Sequence, residues 1–200
     1  MTLCYKTITV AATGLYKEKG SRFLSYAYPV TELATITEHL QRLRKEHHAA
    51  RHCCYAYIVG ISNEQYRIND DGEPSGTAGK PIFGVLRAQG LTNILVVVVR
   101  YFGGIKLGVS GLIEAYKTAT EDALAHTEPV VRDVLCRLRL HFVYTQTHSV
   151  YKTLKRHRGE ILSEEWDGNC QMLVRLQKKS LPQAIADLQT LTQYEILGEE

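Results

Sequence analysis

Residues 94–99 read ILVVVV, and no other stretch of the chain limits its fold so tightly. Four successive β-branched valines disfavour a helix and suit an extended strand. Neither side of that pleat carries a polar residue, so the strand must be covered on both faces. It therefore belongs inside a sheet with layers above and below. It also delivers Arg100, Tyr101 and the pair Gly103-Gly104 to one strand end. Two glycine-rich loops flank it in sequence, residues 72–79 and residues 103–111. The acting surface is expected where these loops meet, if they meet.

A core of this kind needs apolar mass. The 200 residues are 44% hydrophobic, enough for one large domain or two small ones. The net charge of +3 is too small to argue for nucleic acid by itself. The 5 cysteines are odd in number, and Cys53 and Cys54 are adjacent. That is no disulfide framework, and without a CxxC pair a cysteine-type zinc site is not expected; a reducing cytoplasm is. The start MTLCYKTITV lacks a basic segment followed by a long apolar one. No apolar run approaches the ~20 residues that span a bilayer, so neither a leader nor a membrane association is expected.

The remaining elements follow from pattern. Residues 7–10 and 23–28 read as short strands, and TGLYKEKGSR between them reads as a loop. Thr31 is a candidate cap for a helix whose Leu33, Ile36, Leu40 and Leu43 share one face. Residues 52–60 and 65–69 read as strands joined by a turn through Ser62-Asn63. A short helix over 81–89 tolerates Pro81 and stops at Gly90. The strand 94–100 leads through the second glycine loop into a helix over 110–126, with Leu112, Ala115, Tyr116, Ala119 and Ala123 on one face.

Pro129 marks a boundary. Residues 131–143 read as one long strand, with Val134, Cys136, Leu138, Leu140 and Phe142 opposite Arg137, Arg139 and His141. A helix over 147–158 follows, then a hairpin turning at Asp167-Gly168-Asn169. Ser180 and Gln183 suggest a capping box for a helix bearing Leu181, Ile185, Leu188 and Leu191, and residues 194–197 close as a strand. The order βαββαβ is that of a ferredoxin-like domain. The chain thus divides into residues 1–128 and 129–200, an α+β protein of two domains.

Chemistry is concentrated in the two loops. DDGEPSGTAGKP resembles a phosphate loop but is not a Walker A motif: position 74 is Pro74 rather than glycine, and position 81 is Pro81 rather than Ser or Thr. What remains is Asp70, Asp71 and Glu73 beside Ser75 and Thr77. Gly76 and Gly79 let backbone N–H groups point at a ligand. Three readings stand: a turn capped by its own aspartates, an anion or nucleic-acid contact, and a metal-binding or catalytic carboxylate cluster. The second loop, RYFGGIKLGVSG, opens a helix whose free N–H groups suit an anion. Arg100 and Lys106 add charge, while Tyr101 or Phe102 is a candidate stacking surface or a packed core residue. His47, His48, His52, Cys53 and Cys54 form a third cluster, but strand neighbours Cys53 and Cys54 face opposite ways, which favours a structural role. Arg137, Arg139, His141 and the run 155–158 read as a solvated sheet face and helix end before an RNA contact.

These motifs together carry a resemblance. DDGEPSGTAGKP, VVVRYFGGIKLG, GLIEAY and AARHCCYAY, in this order and spacing, resemble the IMPACT family (YigZ-like, uncharacterised), over roughly residues 21–125. The later part resembles the small domain of its bacterial two-domain type. The resemblance implies a first domain of the ribosomal-protein-type βαβ superfamily, like domain IV of elongation factor G, and a ferredoxin-like second domain. It also implies a link to translation and to nucleic acid, with no established catalysis. Two positions depart from the pattern: Ser110 stands where a glycine is usual, and Glu114 where a basic residue is common. The eukaryotic members' additional domain, which binds a translation-kinase activator, finds no counterpart in this sequence, so that partner is not carried over.

The expectation is a non-enzymatic protein of the cytoplasm that contacts RNA or the ribosome and needs no cofactor or metal. Its contact surface would comprise Asp71, Glu73, Ser75, Gly76, Thr77, Gly79, Arg100, Gly103, Gly104 and Lys106. The alternatives are an enzyme acting on a phosphorylated or acyl small molecule through Asp70, Asp71 and Glu73, and a protein–protein interaction module.

Overall fold

The computed structural model describes residues 2–61 and 65–199; the turn expected at Ser62-Asn63 lies outside them. The chain is α+β and falls into two compact units. One comprises Tyr5–Arg132; the other comprises Asp133–Glu200 with Met1–Cys4.

In the first unit, β1 (Cys4–Ile8), β2 (Ala12–Glu18), β3 (Ser21–Pro29), α1 (Leu33–Glu46), β4 (His52–Val59), β5 (Gln65–Asn69), α2 (Gly79–Ala88), β6 (Ile94–Tyr101), α3 (Gly108–Ala125) and β7 (Pro129–Asp133) follow in order. β1 pairs with β7, and five strands form an antiparallel sheet ordered β2-β3-β6-β4-β5. The ILVVVV run is the middle strand, and its pleat divides it between two cores. Ile94, Val96 and Val98 pack with Ile82, Leu86, Leu112 and Tyr116 of α2 and α3. Leu95, Val97 and Val99 pack with Ile36 and Leu43 of α1. All six are fully buried. A polar side chain on either face would be desolvated without a partner, which is why the run carries none.

Several local expectations change. The stretch after Ala12 is a strand rather than a loop. Of its two glycines only Gly20 makes a turn, with Lys19 and Gly20 both at positive φ (44° and 78°), a two-residue hairpin. Gly14 is a close approach instead: a Cβ there would lie 2.5 Å from the Ala123 nitrogen of α3. Thr31 caps nothing; Glu32 precedes α1 with no side-chain cap bond. Pro81 is the third residue of α2, inside the first turn where backbone N–H groups lack helical partners.

The second unit contains β8 (Leu135–Phe142), α4 (Thr147–Arg156), β9 (Glu160–Asp167), β10 (Asn169–Gln177), α5 (Leu181–Leu188) and β11 (Gln193–Glu199), with sheet order β11-β8-β10-β9. The long strand expected over 131–143 breaks at Val134. Its N–H donates to the Leu3 carbonyl and its carbonyl accepts from Lys178, so β7 and β8 enter different sheets. Cys136, Leu138, Leu140 and Phe142 face Val150, Leu154, Ala184 and Leu188. Ser180 makes no capping bond, because it continues a short 3-10 turn in helical φ and ψ (−91°, −11°) where a cap needs extended backbone. No helix among the described residues is long and apolar enough to cross a membrane.

Candidate functional site

The first glycine loop satisfies itself. Its backbone N–H groups converge as the composition suggests, but on Asp70. That carboxylate accepts from Gly76 at 2.8 Å, Ala78 at 3.0 Å and Gly79 at 2.8 Å, which ties the loop to the start of α2. Burial pushes the Asp70 carboxyl up, but these N–H donors and nearby Lys80 outweigh it and hold it below its ordinary value. Asp71 sits at a φ of 42°, accepts from the Cys53 N–H at 2.6 Å and pairs with Arg44. Thr77 is buried and donates to the Pro74 carbonyl at 2.7 Å. Gly79 lies so close to β5 that a Cβ would meet the Ile68 side chain at 2.4 Å. Ser75 is exposed on the outside of this turn.

Glu73 turns inward. Its side chain is 3% exposed and its Oε1 lies 2.7 Å from Nη1 of Arg100, itself 6% exposed at the end of β6. The Tyr116 hydroxyl donates to the same oxygen at 2.8 Å, and the Cys54 thiol donates to Tyr116 at 3.3 Å. Burial pushes both the phenol and that thiol well up; Cys54 and Glu73 add to the rise at Tyr116, whereas at Cys54 the Tyr116 hydrogen bond opposes it and Glu73 adds to it. His52 hydrogen-bonds the Asp71 carbonyl through Nδ1 at 2.9 Å. A carbonyl only accepts, so Nδ1 carries the proton and Nε2 faces Glu73 at 3.9 Å. The Arg100 guanidinium lies 5.4 Å from the Phe23 ring centroid and 5.5 Å from that of Phe102. Its Nε is buried and has no hydrogen-bond partner among the described residues.

The second loop is open where the first is closed. Gly103 backs onto the β2–β3 turn, where a Cβ would fall 1.9 Å from the Gly20 carbonyl carbon. Gly104 and Gly108 take positive φ (90° and 73°) with open space beside them. α3 then begins at Gly108 with no side-chain cap and no acidic residue in its first turn. A cavity of about 450 Å³ lies between the loops. Its deep residues are Glu73, Arg100 and Leu112, its rim carries Arg51, Phe102, Lys106 and Val109, and half-buried His52 lies between these levels.

The two loops therefore do meet, through the Glu73–Arg100 pair. Of the residues expected to bind, Glu73, Arg100 and Lys106 line the cavity. Asp71, Ser75, Gly76, Thr77 and Gly79 do not line it and shape the first loop; Gly103 and Gly104 shape the second. Arg51 and His52 escaped the sequence-based set of contact residues. The signal for them was strand register, since His52 pairs directly across β4–β6 with Arg100. Glu114 does not line the cavity. Tyr101 is no stacking surface, as its hydroxyl bonds His47 at 2.9 Å and Arg22 lies over its ring. The histidine–cysteine cluster disperses: Cys53 and Cys54 enter opposite cores, and burial pushes the Cys53 thiol up to about 11. No group of three or more His, Cys, Asp or Glu among the described residues could hold a metal ion.

Comparison with known proteins converges on one relationship. Residues 19–124 match the family described as the Impact N-terminal domain. An IMPACT family member of Haemophilus influenzae is 33% identical over 165 residues, 82% of this chain and 80% of that protein. The IMPACT family member YvyE of Bacillus subtilis is 34% identical over 175 residues, 88% of this chain and 81% of that one. A crystal structure described only as a hypothetical protein covers 100% of both chains at 29% identity with a TM-score of 0.77.

Proposed function

The chain belongs to the IMPACT family, and from that premise we propose that it is a translation-associated protein that contacts RNA, free or in the ribosome. The observation that carries this reading is the cavity between the loops. Arg51, Arg100 and Lys106 converge there with the uncapped start of α3, and Phe102 stands at the rim, 49% exposed. Cations and free helical N–H groups suit phosphate, and an exposed ring suits a base. The contact surface narrows accordingly to the second loop, the start of β4 and the end of β6.

The alternative of catalysis by Asp70, Asp71 and Glu73 acting together meets an obstacle. Asp70 holds backbone N–H groups, Asp71 holds Cys53 and Arg44, and Glu73 holds Arg100 and Tyr116. These three carboxylates serve separate structural duties.

The test is RNA affinity as a function of salt, for the parent chain and for Arg51→Ala combined with Lys106→Ala. Both residues are exposed, so folding is retained. The logarithm of affinity should fall linearly with the logarithm of salt, and the double variant should flatten that slope by roughly one unit per lost phosphate contact. A slope near zero, or a double variant that binds like the parent, removes the proposal.

A further inference from the structure

We propose that the cavity recognises a terminal phosphate monoester of a nucleic-acid strand rather than an internal phosphodiester. This deepens the RNA reading above and rests on it.

Three features of the cavity point to this ligand. The first is depth. The cation at the bottom is buried Arg100, whereas Arg51 and Lys106 are exposed at the rim. A phosphate that reaches Arg100 enters as the leading end of its strand. An internal phosphate would bring chain continuations on both sides through the same mouth.

The second feature is charge. Arg51, Arg100 and Lys106 against Glu73 leave a surplus of two positive charges among these lining groups. A terminal monoester approaches two negative charges near neutral pH, whereas a diester carries one. The uncapped first turn of α3 adds N–H donors at the same rim.

The third feature is an unmet donor. Glu73 binds Nη1 of Arg100 at 2.7 Å, while Nε is buried and lacks a partner among the described residues. A buried guanidinium donor without an acceptor is destabilising, and a phosphate oxygen supplies one. This feature is independent of the helix terminus, and it belongs to a residue that lines the same cavity. Phe102 completes the arrangement. Its ring lies against Arg100 and is 49% exposed, which leaves surface for the terminal base to stack.

The experiment uses the full chain and one short single-stranded RNA in three forms: 5′-phosphorylated, 3′-phosphorylated, and with hydroxyls at both ends. Anisotropy gives the three affinities. One phosphorylated form should bind about tenfold or more tightly than the hydroxyl form, the effect of one added charge-assisted hydrogen bond. The preference should vanish in Lys106→Ala and in Arg51→Ala. It should persist at reduced overall affinity in Phe102→Leu. Equal, salt-dependent binding of all three forms overturns the terminal-phosphate inference and leaves the RNA reading intact. If no RNA binds but a nucleoside 5′-monophosphate does, the RNA reading falls and monoester recognition survives for a small molecule. If neither binds, both fall.

Discussion

The two glycine loops look alike in sequence and do opposite things. The loop at 72–79 has the denser display of N–H groups, and Asp70 from the same chain takes three of them. The loop at 103–111 has fewer obvious features, yet it borders the cavity and hands its helix start to α3 without a cap. Glycine richness reports that backbone can approach something closely; it does not report what. Where a carboxylate sits a few residues upstream, the occupant is internal. Where the upstream residues are Arg100 and an aromatic pair, the site stays open.

The comparison breaks most visibly at Glu73, the point where the loops join. Glu73→Ala leaves Arg100 buried without its carboxylate, and should destabilise the fold by about 3–5 kcal/mol in urea denaturation. Loss below 1 kcal/mol would mean the loops are joined by something else. Next is Gly103→Ala. Its Cβ would overlap Gly20 at 1.9 Å, so the hairpin turn must shift, at about 1–3 kcal/mol. Gly104→Ala meets no atom and bears only the strain of its φ of 90°, about 1 kcal/mol. Equal losses at the two positions would show that the contact between loop and hairpin is not what requires Gly103.

Asp70→Ala should follow, at about 1–2 kcal/mol, the magnitude of a lost helix cap. This one has a pH signature. The folded carboxyl lies below its ordinary value, so its stabilisation is present above the unfolded value of 3.8 and is lost as pH falls through the folded value. The gap between parent and variant should therefore be widest near neutrality and close in acid. A gap independent of pH would remove the carboxylate from the account. Smallest in stability is Lys106→Ala, expected within about 0.5 kcal/mol because the side chain is exposed. Its effect belongs to ligand affinity, which is what distinguishes an open loop from a closed one.

How much of this the sequence disclosed depends on the range of the interaction. Residues 94–99 announced a strand buried on both faces, since its composition permits nothing else, and the α+β class and two-part organisation were legible. The strand hidden in residues 12–18 was not. Gly14 reads as a turn signal, and only the passage of α3 across it shows a close approach. The cap at Thr31 failed because α1 starts one residue later, after Glu32, and the cap at Ser180 failed because the preceding turn holds that residue in helical φ and ψ. In the site, Arg100 and Lys106 were visible as charges beside a glycine loop. Arg51 and His52 lie about fifty residues earlier and join them only through the pairing of β4 with β6. Asp70's role was readable as an option but not as an outcome, because the same N–H display suits an aspartate or a phosphate.

The most direct test of an open loop beside a closed one is a titration of the ¹⁵N-labelled chain with inorganic phosphate, followed through backbone amide shifts. Saturable shifts are expected at Lys106, Gly108 and Val109, and none at Gly76, Ala78 and Gly79, whose N–H groups Asp70 already holds. Shifts confined to the first loop, with the second unmoved, would contradict that arrangement.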